Sequence, residues 1–142
     1  MTKWVYFLCF ALSVSAAPWK MHVVDNTSRG ADGVRLMDVN NDGLLDIATG
    51  WEEGGVIRIY YNPGSRKTKQ PWPHTEVGKV KSPEDAVFTD LDGDGNYEVV
   101  SSCEGKSRTL FFHWAPASGS KVKAAEWDTQ AVPVTAGKQS WM

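Results

Sequence analysis

Nine residues, Asp38 to Asp46, read DVNNDGLLD, and nine more, Asp90 to Glu98, read DLDGDGNYE. Carboxylates this close repel one another unless a cation removes the repulsion. Positions 1, 3 and 5 carry short oxygen side chains: Asp38, Asn40, Asp42 in the first loop and Asp90, Asp92, Asp94 in the second. Position 6 is glycine in both, Gly43 and Gly95, which suits a sharp turn with φ > 0. Position 7, Leu44 or Asn96, can offer its backbone carbonyl, and position 9, Asp46 or Glu98, can bind through both carboxylate oxygens. Ca²⁺ is a hard ion that takes six to eight oxygens. The loops are therefore expected to hold about two Ca²⁺ ions, with the second, richer in carboxylates, the tighter. Mg²⁺ fits less well, since it wants a tighter octahedron and more water. An EF-hand or dockerin loop would place a carboxylate at position 12, where Thr49 and Ser101 stand, and would continue into a helix. A turn rich in Asp, Asn and Gly that binds nothing is the plain alternative for either loop alone.

What positions these loops is a repeat. Shifted by 52 residues, the stretch beginning at Gly33 lies over the stretch beginning at Asp85. Without a gap, Val34 falls on Ala86, Leu36 on Phe88, Ile47 on Val99, Ile57 on Thr109, Ile59 on Phe111 and Glu52 on Glu104. Each unit reads as strands. Val34–Met37 and Ala86–Thr89 lead into the acidic loops; Leu45–Thr49 and Tyr97–Ser102 leave them. Third strands, Val56–Asn62 and Thr109–Ala115, are rich in the β-branched and aromatic residues that suit a pleated, half-buried surface. A fourth follows near His74–Val77 and near Thr129–Val134, each approached by a tryptophan, Trp72 or Trp127. Trp19 before Met21–Val24 looks like the same element from a preceding unit. Helical periodicity is absent.

The fold class expected is all-β. Four antiparallel strands in a repeat of about 50 residues is the plan of a propeller blade. Blades are expected at about 33–80 and 85–134, with a third begun at the C-terminus. A ring needs about four to eight blades. The sequence therefore reads as the N-terminal part of a longer propeller, the alternative being a short chain that assembles with copies of itself.

Residues 1–16 read as a secretory signal peptide: Lys3, an apolar run from Trp4 to Val14, then small residues. The run is too short to span a bilayer as a helix, so no membrane span remains once it is removed. The mature chain then begins at Ala17 and is secreted, periplasmic or at the cell surface. Its one cysteine, Cys103, has no internal partner and reads as a small buried hydrophobe. A net charge of −2 and no basic cluster beyond Arg66–Lys69 argue against nucleic acid as a partner.

Strand, DxDxDGxxD/E, strand, recurring at this spacing, resembles the FG-GAP or VCBS repeat family, whose propellers are similar to the head of integrin α chains. The resemblance covers about Trp19 to Met142. It implies calcium loops joining the first two strands of each blade on one propeller face, with the ligand positions just named. It also implies a secreted binding or adhesion scaffold whose ligand is an extracellular protein or carbohydrate. On the opposite face, the turns Trp51–Gly55 and Cys103–Ser107 should meet the loop Lys81–Asp85, which makes Trp51, Glu52 and Glu104 candidates for a binding surface. A different class of function, a module of an exported polysaccharide-acting or redox enzyme, would use tryptophans as sugar platforms and Glu52 with Glu104 as a carboxylate pair. No catalytic constellation is visible, and His22, His74 and His113 are scattered singles.

Overall fold

A computed structural model describes residues 17–116 and 127–138. Eight strands follow one another: β1 (Ala31–Met37), β2 (Asp46–Trp51), β3 (Val56–Tyr60), β4 (His74–Lys79), β5 (Pro83–Thr89), β6 (Glu98–Cys103), β7 (Leu110–Trp114) and β8 (Asp128–Ala131). They form two four-stranded antiparallel sheets in sequence order, β1-β2-β3-β4 and β5-β6-β7-β8. Each sheet is a blade, and the acidic loops join its first two strands. The signal peptide expected at 1–16 and the start of a third blade at the C-terminus lie outside the described residues.

The two blades pack face to face. Ala48, Ile57, Ile59 and Val77 of the first meet Ala86, Phe88, Val99 and Cys103 of the second in one apolar cluster. Burying each of the larger side chains is worth about 1.5–3 kcal/mol. β3 runs through the middle of its sheet and is buried at every residue, which explains why branched and aromatic side chains fill it except at Arg58, whose charge is paired with Asp25. Arg35 of β1 reaches across to an ion pair with the buried Asp85 of β5. A bulge interrupts the first strand of each blade, between Asp32 and Arg35 and between Pro83 and Asp85.

The ladders correct the gapless overlay in one place. Ile57 stands opposite Gly50 in the first blade. In the second, Ser102, the repeat partner of Gly50, stands opposite Leu110. The turn between β6 and β7 therefore holds one more residue than the turn between β2 and β3, and beyond it the shift is 53. Ile57 matches Leu110, Ile59 matches Phe112 and Tyr60 matches His113. Arg108, in the longer turn, takes a positive φ of 37°.

Two strand expectations fail. Met21–Val24 joins neither sheet, because no third strand of its own blade lies beside it among the described residues. The last strand stops at Ala131 rather than Val134. Val132 still donates to Leu110 O at 2.9 Å, but Pro133 has no N–H for the ladder and opens a single 3-10 turn, Pro133–Thr135.

Candidate metal centres and the opposite face

Each acidic loop is organised around its first aspartate. In the first loop Asp42 N donates to Asp38 Oδ1 at 3.0 Å and Gly43 N to Asp38 Oδ2 at 2.8 Å. In the second, Gly93 N donates to Asp90 Oδ1 at 2.7 Å and Gly95 N to Asp90 Oδ2 at 3.1 Å. The third and fifth positions repeat too. Asn40 and Asp92 accept from the fifth residue's N–H, and Asp42 and Asp94 from the seventh's. These bonds fold both loops so that positions 1, 3 and 5 converge. In the second, one carboxylate oxygen from each of Asp90, Asp92 and Asp94 lies within 4.8 Å of the others.

Position 9 differs from the rest in being buried. Asp46 is 0% exposed and Glu98 is 2% exposed. Asp46 accepts from Val39 N at 3.1 Å and Asn62 N at 2.8 Å, and Glu98 from Leu91 N at 2.9 Å. Burial pushes both carboxyls above their ordinary values despite these donors, and the nearby loop aspartates add repulsion. Glu98 lies outside the cluster of Asp90, Asp92 and Asp94; those three converging carboxylates, all oxygen and short of positive charge, fit a hard divalent cation. Gly43 and Gly95 sit at φ 83° and 84° as position 6 requires.

Position 4 was missed by sequence reasoning. Asn41 and Gly93 also take positive φ, 59° and 79°. A Cβ at Gly93 would meet nothing within 4 Å, so conformation rather than space selects these residues. The available signal was their type, since Asn tolerates the left-handed region better than most residues.

Residues 38–101, from the first ligand position through the second loop, match the model of the FG-GAP-like repeat. Searches of curated proteins and of solved structures found no match.

At the other end of the blades, the turns converge as expected. Glu104 N donates to Ser82 O at 3.0 Å, and Val80 N to Gly55 O at 3.1 Å. Oxygens of Asp32, Glu52 and Glu84 lie within 4.8 Å of one another. Burial, then the charges of Glu104 and Asp32, push the Glu84 carboxyl up to about 7, with Glu52 adding to the effect. Glu52 and Glu104 thus do meet at one surface, through Glu84. Trp51 does not join them: it is 6% exposed and donates through Nε1 to Tyr60 Oη at 2.8 Å. Its place at the end of β2 turns it onto the sheet face rather than the rim. Beside the acids lies a groove of about 840 Å³ lined by Glu52, Lys79, Val80, Lys81, Ser107 and Phe111.

Cys103 is buried at 1% exposure, and burial pushes its thiol up to about 12, so it behaves as a core residue. His113 is wholly buried between Ser101 Oγ at 2.8 Å and Thr129 Oγ1 at 3.0 Å.

Proposed function

We propose that this protein is a calcium-stabilised, β-propeller-like binding module of the extracellular space, exported by the leader at residues 1–16. The observation that carries the reading is the doubled loop. Two blades place the same oxygen-bearing positions at the same hydrogen-bonded corners, in an FG-GAP-like repeat. Asp38, Asn40, Asp42, Asp46 and the Leu44 carbonyl would hold one ion; Asp90, Asp92, Asp94, Glu98 and the Asn96 carbonyl would hold the other. Calcium bound there supplies the positive charge that these carboxylates lack. The chain's own part is to preform the corners with backbone donors and to bury position 9 at the head of the second strand. Calcium in this reading serves structure, and ligand contact falls at the opposite end.

There the groove combines an apolar floor, Val80 and Phe111, with carboxylate and ammonium groups on its rim. Such a mixture suits an extracellular protein segment or a carbohydrate, and the reading is of a binding module rather than an enzyme. No helix among the described residues is long and apolar enough to cross a membrane.

Calorimetric titration of calcium into the protein, with melting followed with and without chelator, tests the metal assignment. Two sites and a calcium-dependent rise in Tm are expected. A folded sample that takes up no calcium would return both loops to ordinary turns.

A further inference from the structure

Each blade sends two acids to the rim opposite the metal loops, and they stand at repeated positions. Under the 52-residue shift Asp32 falls on Glu84 and Glu52 on Glu104. Oxygens of Asp32, Glu52 and Glu84 lie within 4.8 Å of one another. Like charges this close destabilise the fold unless something answers them. Burial, then the charges of Glu104 and Asp32, push the Glu84 carboxyl up to about 7. Three cations close by in the chain are spent elsewhere: Arg29 on Glu53, Arg35 on Asp85 and Lys79 on Glu76.

The rim adjoins a cavity. Glu52 also lines the groove of about 840 Å³ that has Val80 and Phe111 as its floor, a size within the usual range of small-molecule sites. A ligand that reaches both parts needs a positive head and an apolar body. Geometry narrows the head. A primary ammonium carries three N–H donors on one atom. Donating at about 2.8 Å in tetrahedral directions, it holds three oxygens about 4.6 Å apart, a spacing that the rim can offer. Guanidinium is a flat fork suited to one carboxylate taken bidentately, and a quaternary ammonium has no N–H to give. Lys81 on the groove wall opposes a second positive charge along the body.

The walls also favour a small ligand over a polypeptide. Phe111 lies in β7, paired with Ser101 on one side and Ala131 on the other. Val80 N and Glu104 N are already bonded to Gly55 O and Ser82 O. A chain that binds by strand addition finds nothing in the groove to pair with, and a small amine needs no strand edge.

We propose that the acid end of the groove binds a small primary alkylamine, its ammonium donating to Asp32, Glu52 and Glu84 and its apolar body lying on Val80 and Phe111. This rests on the groove being a ligand site, as above, and names a ligand smaller than a protein segment or a glycan.

The test uses the full chain with calcium present and n-hexylamine as the probe, at pH 8, where the amine is protonated. Calorimetry first counts the calcium taken up and then follows the amine. The expected result is saturable one-to-one binding of hexylamine, at least tenfold tighter than n-hexanol or hexyltrimethylammonium. Binding should be at least tenfold weaker in Glu52→Gln and in Glu84→Gln. Both substitutions keep side-chain size and remove a repelling charge, so the variants stay folded, and melting curves check that they do. A folded protein with no saturable uptake of hexylamine up to about 10 mM would overturn the proposal, and the calcium count would show separately whether the metal assignment stands. Equal affinity for hexylamine and hexyltrimethylammonium would show attraction by charge alone and overturn it too, as would binding indifferent to Glu52→Gln. Calcium taken up beyond the two loops and lost in Glu52→Gln would show a metal at the rim and would equally overturn it.

Discussion

The two blades share one plan, and the same face of each has met a different fate. On the second, Phe88, Val99, Phe111 and His113 lie against the first blade, with Phe88 at 7% and Val99 and His113 at 0% exposure. On the first, the matching positions are Leu36, Ile47, Arg58 and Tyr60. Leu36 is open, while Arg58 and Tyr60 are tied to Asp25. Where a sheet covers the face, the residues are apolar or neutral. Where a single segment covers it, the chain uses charge-assisted hydrogen bonds and a cation–π contact, Arg58 lying 5.6 Å from the Trp51 ring centre. Burial opposes ionisation of Asp25, but donors from Tyr60, Thr27 and Arg58 outweigh it and hold the carboxyl well below its usual range. A narrow strip buries too little apolar area to stay in place by hydrophobic burial alone, and directional bonds make up the difference.

The largest test of this contrast pairs two truncations at one repeat position. Phe88→Ala is expected to cost about 3–5 kcal/mol, and Leu36→Ala within about 0.5 kcal/mol of nothing. Urea denaturation measures both, and equal losses would end the comparison. Next comes the pair His113 and Tyr60. Burial pushes the His113 imidazole from 6.5 down to about 4. The folded state therefore favours neutral His113, and its contribution is whole above pH 6.5 and is lost as pH falls toward 4. The loss reaches at most about 3 kcal/mol. His113→Asn should lack that share of the acid dependence, seen as a shallower stability–pH slope between pH 6.5 and 4.

The acidic loops offer a third contrast. Saturating calcium, at about 100 times Kd, is expected to stabilise each occupied site by about 2.7 kcal/mol. Asp94→Asn should remove the tighter site and leave the weaker, whereas Asn40→Asp should bring the first loop toward the second in affinity. Titration calorimetry of the two variants reads both. The smallest effect is expected at the opposite face. Glu84, raised to about 7, holds its proton more tightly folded than unfolded. Its ionisation therefore destabilises the fold as pH rises from 4.5 through 7. Glu84→Gln should melt higher than the parent protein at pH 8 and with it at pH 4. A parent that melts higher at both would show that the acids do not repel.

Much of the molecule is legible in its sequence. The acidic loop motif with strand-like flanks, recurring at 52 residues, located both loops and all eight strands to within a few residues, since each signal is local: side-chain alternation, glycine at a forced φ, tryptophan before a fourth strand. Met21–Val24 carried the same local signal and formed no strand, because a strand needs a neighbour and sequence pattern does not supply one. The extra residue before β7 was invisible for a related reason: Thr109 and Leu110 are both acceptable opposite a sheet, and only the hydrogen-bond ladder, pairing Leu110 with Ser102, fixes the register.

The sequence by itself determined the blade plan, the oxygen-bearing corners and the burial of Cys103, all set by residue type at fixed local spacing. Tertiary structure alone decided that Trp51 turns inward to Tyr60, that Asp25 finds Arg58 across 33 residues, and that Asp32 joins Glu52 and Glu84 at their rim. These depend on which sheet faces pack together. Packing is a contest among distant surfaces for area and partners, and its outcome is written in no single stretch of chain.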